Sequence, residues 1–246
     1  MKLAVAGKGG VGKTTITAWL ADFLARRGED VWLVDADTAL SLGAALGLPE
    51  EEVPVPLVQK RDIIEERVGS GGFINMNPKV DDLPASLARE HRGMQLLVMG
   101  TIAGAGSGCG CAANALLKAM LLHLIMKTSQ WLLVDLEAGV EHLGRGTISS
   151  VDGLVVVSEP SLRSLRTAAQ ISRLAADLGL KKQALVLNRA EDDYAPPDDI
   201  DLPPLAASFA ALDSLQARQQ VSASVLDMPE SDYLDACCAR IVDILG

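Results

Sequence analysis

Residues 2–15 read KLAVAGKGGVGKTT, and this stretch sets the architecture of the chain. Its first part is short and almost continuously apolar, which is typical of a strand buried on both faces of a parallel sheet. A glycine-rich segment follows, and then an amphipathic pattern that stops at Gly28, which predicts a helix. A strand, a glycine-rich turn and a helix in this order predict the first unit of an α/β fold.

Residues 7–14 match the P-loop pattern of Gly, four residues and then Gly-Lys-Thr. Glycines allow a tight turn that points backbone N–H groups at a phosphate, and the start of the helix adds its positive dipole end. We expect Lys13 to reach the β- and γ-phosphates and the Thr14 hydroxyl to ligate Mg²⁺. The predicted nucleotide-binding residues of this segment are Gly9, Gly10, Val11, Gly12, Lys13, Thr14 and Thr15.

Five further apolar runs predict strands at residues 31–35, 96–100, 131–135, 154–158 and 184–188. Helical patterns occupy 113–126 and 161–178, and a long surface excursion is expected over 49–82. Alternating strands and helices imply right-handed crossovers. The predicted fold class is therefore α/β, a doubly wound, mostly parallel sheet flanked by helices. The length of 246 residues predicts a single domain over 1–246.

Composition excludes two classes of partner. The chain has 32 acidic and 22 basic residues and a net charge of -10, so we expect no nucleic-acid partner. The most apolar stretch, 112–126, contains polar residues and is too short to span a bilayer. The N-terminus lacks the pattern of a signal peptide. These features predict a cytoplasmic protein with no membrane partner.

Lys8 extends the phosphate-binding pattern to GKGGVGKTT, and here the sequence resembles the deviant-Walker-A P-loop ATPases, relatives of MinD, ParA and the nitrogenase iron protein. The resemblance implies that Lys8 crosses a homodimer interface and contacts the partner's nucleotide. It also implies that Asp37 positions the attacking water, with Asp35 near the Mg²⁺ ion. The chain would bind its Mg-nucleotide between two copies of itself.

A Walker-B carboxylate is predicted at Asp135, because this residue ends the apolar strand 131–135. Gly139, four residues later, would sense the γ-phosphate through its backbone amide. The predicted catalytic residues are Lys8, Lys13, Asp37 and Asp135.

Asn188 ends the strand 184–188 and resembles the base-recognition position of these ATPases. Its amide offers both a donor and an acceptor to a purine edge. The segment also resembles, imperfectly, the Asn-Lys-x-Asp guanine reader of GTPases. Arg189 and Glu191 depart from that pattern, so we expect ATP and ADP as the nucleotides.

Cys109 and Cys111 form a Cys-x-Cys pair in a glycine-rich segment that we expect to be a turn before the helix 113–126. A turn would place two thiolates on one side, and the helix start would favour their deprotonated forms. Two ligands leave a tetrahedral site incomplete, and a twofold axis would supply the same pair from a second copy. Four thiolates suit Ni²⁺ or Zn²⁺, and the choice stays open. Cys237 and Cys238 lie in a C-terminal helical pattern, where buried thiols are expected.

With this pair, four further segments resemble the CooC family, the nickel-maturation ATPases that serve carbon monoxide dehydrogenase. These segments are 72–82 (GFINMNPKVDD), 97–101 (LVMGT), 137–146 (EAGVEHLGRG) and 159–160 (EP). The resemblance implies an ATP-dependent nickel-insertion chaperone whose client is apo carbon monoxide dehydrogenase. Thr38 and Ala39 stand where this family often has Pro and Asn, which puts the local loop conformation in question.

Two other interpretations remain open at this stage. A MinD- or ParA-type positioning ATPase would need a basic membrane or DNA surface, whereas residues 231–246 hold three Asp and one Arg. An iron–sulfur ATPase of the nitrogenase iron protein type would carry well-separated cysteines rather than an adjacent pair. His142 could link the nucleotide state to the metal site or ligate metal transiently, or it could be a hydrogen-bonded switch-II residue with no role in metal binding.

Overall fold

The computed structural model describes residues 1–69, 74–100, 108–127, 130–137, 150–191 and 193–246, with the side chains of 108–111 outside that description. The strands are β1 Lys2–Gly7, β2 Val31–Ala36, β3 Arg89–His91, β4 Met94–Val98, β5 Trp131–Leu136, β6 Gly153–Ser158, β7 Gln183–Asn188 and β8 Leu205–Phe209. The helices are α1 Lys13–Arg26, α2 Leu42–Ala45, α3 Arg61–Val68, α4 Leu83–Leu87, α5 Gly108–Lys127, α6 Leu162–Asp177, α7 Asp213–Gln219 and α8 Ser231–Leu245. Short 3-10 turns occupy Glu50–Glu52 and Leu57–Gln59.

The strands form a sheet in the order β3-β4-β2-β5-β1-β6-β7-β8. All neighbouring strands are parallel except β3, which pairs antiparallel with β4. The chain therefore winds outward from β1 in both directions, and the predicted doubly wound, mostly parallel sheet is confirmed. Ligands of such sheets bind at the carboxyl ends of the strands where the winding reverses. That place is the end of β1.

Helices cover both faces of the sheet, and the central strand shows how. Leu3 and Val5 of β1 belong to a core cluster that includes α1 and α8, while Ala4 and Ala6 belong to a second cluster that includes α5 and α6. All four side chains are fully buried. Burial on both faces explains why the strand is continuously apolar rather than alternating. Among the described helices, none is long and apolar enough to cross a membrane.

The strand expected at 96–100 is wrong by two residues, since β4 spans Met94–Val98. Arg92 and Gly93 both have positive φ, 52° and 76°, and form a tight turn that joins β3 to β4 as a hairpin. Beyond β4, the backbone N–H groups of Met99 and Gly100 both donate to the Asp35 carbonyl oxygen, at 2.9 and 3.2 Å. Because the hairpin aligns β4 with β3, β4 begins two residues before the expected start. The two bonds to Asp35 follow Val98, where β4 ends.

Helix α5 begins at Gly108, five residues before the expected start, so the expected turn around the Cys-x-Cys pair is wrong. Glycine weakens a helix by about 1 kcal/mol relative to alanine. A helix of 20 residues can absorb two such positions because each added residue contributes a further hydrogen bond. The backbone at Cys109 and Cys111 is therefore helical.

Strand β8 was missed from the sequence. It has the sequence LAASF, and alanine and serine at its centre have little preference for strands. It lies at the edge of the sheet in parallel with β7. Phe209 at its end stacks on Trp19 of α1, with ring centroids 5.4 Å apart. Tertiary packing, rather than local preference, therefore extends this segment.

Candidate nucleotide-binding site

The segment between β1 and α1 has the shape of a phosphate loop, and three glycines are required for it. A Cβ on Gly7 would lie 2.3 Å from the Val157 carbonyl oxygen, so β1 and β6 approach closely here. Gly10 and Gly12 have φ of 81° and 95°, which other residues rarely adopt. A Cβ on Gly12 would also lie 2.2 Å from Asn188 Nδ2. The loop therefore curls tightly into the N-terminus of α1.

The predicted Mg²⁺ ligand and the predicted Walker-B carboxylate lie in direct contact. Thr14 Oγ1 donates to Asp135 Oδ2 at 2.6 Å. Asp135 is fully buried, and its other oxygen, Oδ1, has no hydrogen-bond partner among the described residues. A buried carboxylate oxygen normally has a partner. Oxygen donors of this kind are those that Mg²⁺ prefers, so Thr14 and Asp135 fit the ion.

The charges of the site also favour a cation. Burial is the main cause that raises the pKa of Asp135 to about 7. The hydrogen bond from Thr14 lowers this pKa, and the neighbouring charge of Asp35 raises it. Burial likewise raises the pKa of Asp35 to about 6, and two backbone N–H bonds oppose this rise. Lys13, only 5% exposed, is the basic residue whose charge acts on Asp135. Both raised pKa values reflect burial that disfavours the charged carboxylates, and a bound cation would stabilise their charged forms.

Asp35 and Asp37 organise the loop that follows β2. The carboxylate of Asp35 accepts from the backbone N–H of Asp37 at 3.2 Å and from that of Leu42 at 3.0 Å. Asp37 is 9% exposed, and its Oδ1 accepts from the Ala39 N–H at 2.8 Å. Asp35 is thus a structural brace for the loop, and Asp37 is held at the carboxyl end of the sheet.

Two residues of this site were not identified from the sequence. Ser41 Oγ donates to Thr14 Oγ1 at 3.4 Å. Glu137 Oε1 accepts from Thr38 Oγ1 at 3.0 Å, although the two residues are 99 positions apart. Ser41 belongs to no motif, and its position close after Asp37 is the signal that could have indicated it. Glu137 begins the segment 137–146 that resembles the CooC family, although no role was predicted for it.

Asn188 and Arg189 both contact the P-loop from the end of β7. Asn188 Nδ2 donates to the Val11 carbonyl oxygen at 2.8 Å. Arg189 Nη1 donates to the Gly10 carbonyl oxygen at 3.4 Å and forms an ion pair with Glu159. A cavity of about 460 Å³ lies beside them, lined by Thr15, Trp19, Asn188, Arg189, Asp213 and Gln216 among others.

Of the other predicted site residues, some lie within the described part of the chain and some do not. Lys8 is half-buried in the P-loop. Cys237 and Cys238 are buried in α8 as expected, and burial raises the pKa of the Cys238 thiol. Gly139, His142 and the side chains of Cys109 and Cys111 lie outside the described residues. Within the described part of the chain, no group of three His, Cys, Asp or Glu side chains could hold a metal ion.

Comparisons with known proteins agree with this geometry. Residues 2–222 match the CobQ/CobB/MinD/ParA nucleotide binding domain. The carbon monoxide dehydrogenase accessory protein CooC of Rhodospirillum rubrum is 40% identical over 261 aligned positions, which cover 100% of this chain and 98% of that protein. An uncharacterized ATP-binding protein of Methanocaldococcus jannaschii is 44% identical over 198 positions, 78% of this chain and 76% of that protein.

Solved structures share the fold. The MinC:MinD cell division protein complex of Aquifex aeolicus aligns with a TM-score of 0.72 at 20% identity, covering 98% of this chain and 95% of that chain. The septum site-determining protein MinD of Pyrococcus horikoshii, complexed with Mg-ADP, aligns with a TM-score of 0.67, also at 20% identity, over 98% of this chain and 95% of that chain. At this identity the likeness concerns the fold alone.

Proposed function

Because the chain belongs to the CobQ/CobB/MinD/ParA family of nucleotide-binding domains and to the family of CooC, we propose that it is a cytoplasmic ATPase that inserts nickel into carbon monoxide dehydrogenase. The observation that carries this proposal is the 40% identity to CooC along the whole of both chains. A likeness confined to the P-loop would support ATP hydrolysis and nothing more. Because the match extends along the chain, we propose that the two proteins share the same function, the maturation of carbon monoxide dehydrogenase.

ATP hydrolysis would use the residues gathered at the end of β1. The P-loop N–H groups and the N-terminus of α1 would bind the phosphates, and Lys13 would neutralise the β- and γ-oxygens. Thr14 and Asp135 would hold Mg²⁺, which when bound supplies further positive charge to the phosphates. Asp37, on the loop after β2, would orient the attacking water.

Asn188 offers both a donor and an acceptor to a base. One N–H of its amide donates to the Val11 carbonyl oxygen, so the second N–H and the amide oxygen could both meet a base in the neighbouring cavity. A donor and an acceptor together suit the ring nitrogen and the exocyclic amine of adenine. Arg189 and Glu191 stand where the guanine reader of GTPases has Lys and Asp, which supports ATP rather than GTP as the substrate.

A homodimer would complete both the nucleotide site and the metal site. Lys8 lies at the partly exposed surface of the P-loop, from which it would contact the partner's nucleotide. Cys109 and Cys111 of two copies would together supply four thiolates to the nickel cargo, whose alternative is Zn²⁺. Because ATP and metal would both bind at the interface, each would change the affinity for the other by the same factor.

Equilibrium dialysis with metal analysis tests the proposal. We expect one Ni²⁺ per dimer, lost in the double variant Cys109→Ser/Cys111→Ser. The matched control is Cys237→Ala/Cys238→Ala, which removes two thiols buried in α8 and should keep the metal. The native protein should also activate nickel-free carbon monoxide dehydrogenase when ATP and Ni²⁺ are present. Stoichiometric metal in the first double variant would refute the nickel site and leave the ATPase intact.

A further inference from the structure

One hydroxyl group lies between two carboxylates beside the proposed hydrolysis site. Thr38 Oγ1 is 3.0 Å from Glu137 Oε1 and 3.4 Å from Asp37 Oδ1. A hydroxyl carries one proton and donates to one acceptor at a time. The shorter distance assigns the proton to Glu137. This hydrogen bond joins the loop after β2 to the end of β5, the strand that carries Asp135.

The direction of the Asp37 carboxylate depends on this loop. Its Oδ1 accepts from the Ala39 N–H at 2.8 Å, and its own N–H donates to Asp35 Oδ1 at 3.2 Å. Both bonds are local, within residues 35–39, so they shape the loop without attaching its tip to anything else. Thr38 and Ala39 are exposed at that tip, while Asp37 is nearly buried. The bond from Thr38 to Glu137 ties the tip to the end of another strand.

We propose that Thr38 is a positioning residue for ATP hydrolysis: its bond to Glu137 fixes the loop that aims Asp37 at the attacking water. This inference rests on the proposed role of Asp37. Without the hydroxyl, the loop tip loses its hydrogen bond to the end of β5, so the loop that carries Asp37 is held less firmly. Neither of the two hydrogen-bond acceptors of Thr38, Asp37 and Glu137, belongs to the P-loop segment that binds phosphates. Loss of the hydroxyl therefore changes the rate of hydrolysis and leaves nucleotide binding unchanged.

Thr38→Val removes the hydroxyl and keeps the branched shape, while Thr38→Ser keeps the hydroxyl. We expect Thr38→Val to lower kcat by roughly 3- to 10-fold, the range that one hydrogen bond supplies. The Kd for Mg-ADP, measured by calorimetry, should stay within about twofold, since no binding group is lost. Thr38→Ser should restore the native kcat. The double variant Thr38→Val/Glu137→Ala should be no slower than Glu137→Ala alone, because both changes remove the same bond.

Four results would overturn the role of Thr38: a native kcat in Thr38→Val, a loss that Thr38→Ser shares, a parallel rise in Kd, or additive losses in the double variant. The variant Asp37→Asn tests the proposed role of Asp37 separately from the proposed role of Thr38. If Asp37→Asn hydrolyses ATP at the native rate, the role of Asp37 itself is wrong. If Asp37→Asn is slow and Thr38→Val is not, Asp37 keeps its role and only the positioning by Thr38 fails.

Discussion

Replacing Asp135 by Asn should destabilise the protein at acid pH, and this effect should disappear at alkaline pH. The folded protein raises the pKa of Asp135 from 3.8 to about 7, chiefly by burial. A raised pKa means that the folded state holds the proton more tightly than the unfolded state does. The contribution of Asp135 to stability is therefore present at low pH and lost as the pH rises through about 7.

The magnitude follows from the pKa difference. One pKa unit corresponds to about 1.4 kcal/mol, so between roughly pH 5 and pH 8 the contribution of Asp135 falls by about 3 kcal/mol. Asparagine does not titrate, and its amide N–H₂ would replace a buried oxygen that has no partner among the described residues. That unpaired donor costs about 1–3 kcal/mol at every pH. The variant should thus be less stable than the native protein near pH 5 and equally or more stable near pH 8.

Urea unfolding of both proteins without nucleotide, at several pH values across this range, measures the effect. Asp35 also has a raised pKa, and its charge interacts with that of Asp135, so the pH dependence removed by the substitution includes the interaction between the two carboxylates. Asp199→Asn, at an exposed position, is the matched control for loss of one charge and should show no such trend. Mg-ADP should stabilise the native protein and not Asp135→Asn, which should also fail to hydrolyse ATP. A stability difference that stays constant from pH 5 to pH 8 would refute the burial argument for Asp135.

Three further substitutions test the P-loop. Gly12→Ala should weaken nucleotide binding and destabilise the fold by more than about 1 kcal/mol, because its Cβ would lie 2.2 Å from Asn188 Nδ2 at a φ of 95°. The control is Gly9→Ala, because a Cβ at Gly9 would meet nothing within 4 Å. Equal Kd values for the two variants would contradict the requirement for glycine at position 12. Lys13→Ala should abolish tight nucleotide binding in calorimetry, since it removes the charge that reaches the phosphates. Lys8→Ala should still bind nucleotide but fail to dimerise with ATP in ultracentrifugation, and an unchanged dimerisation constant would leave Lys8 an ordinary surface lysine.

Much of the fold was accessible from the chain alone because its signals are local. The strands β1, β2, β5, β6 and β7 are buried on both faces, so each is a continuous apolar run that ends close to the expected residue. The phosphate loop is equally local, since its glycines are required by the backbone of one turn. Strand β8 and the early start of α5 lack such signals. Alanine, serine and glycine are compatible with several conformations, and packing against the sheet selects among them.

The side-chain hydrogen bonds of the candidate nucleotide-binding site form between residues that are distant in sequence and that the sheet brings together. The motifs indicate Thr14, Asp135 and Asn188 as separate candidates, but the bonds from Thr14 to Asp135 and from Asn188 to Val11 join residues 121 and 177 positions apart. The strand order β5-β1-β6-β7 brings the ends of β5 and β7 to the P-loop that follows β1, which creates these contacts. The Asp135 oxygen that has no partner among the described residues, and the bond between Thr38 and Glu137, arise in the same way. Residue type and spacing specify the chemistry that each side chain can perform, whereas burial and the direction of each hydrogen bond exist only after the strands have assembled.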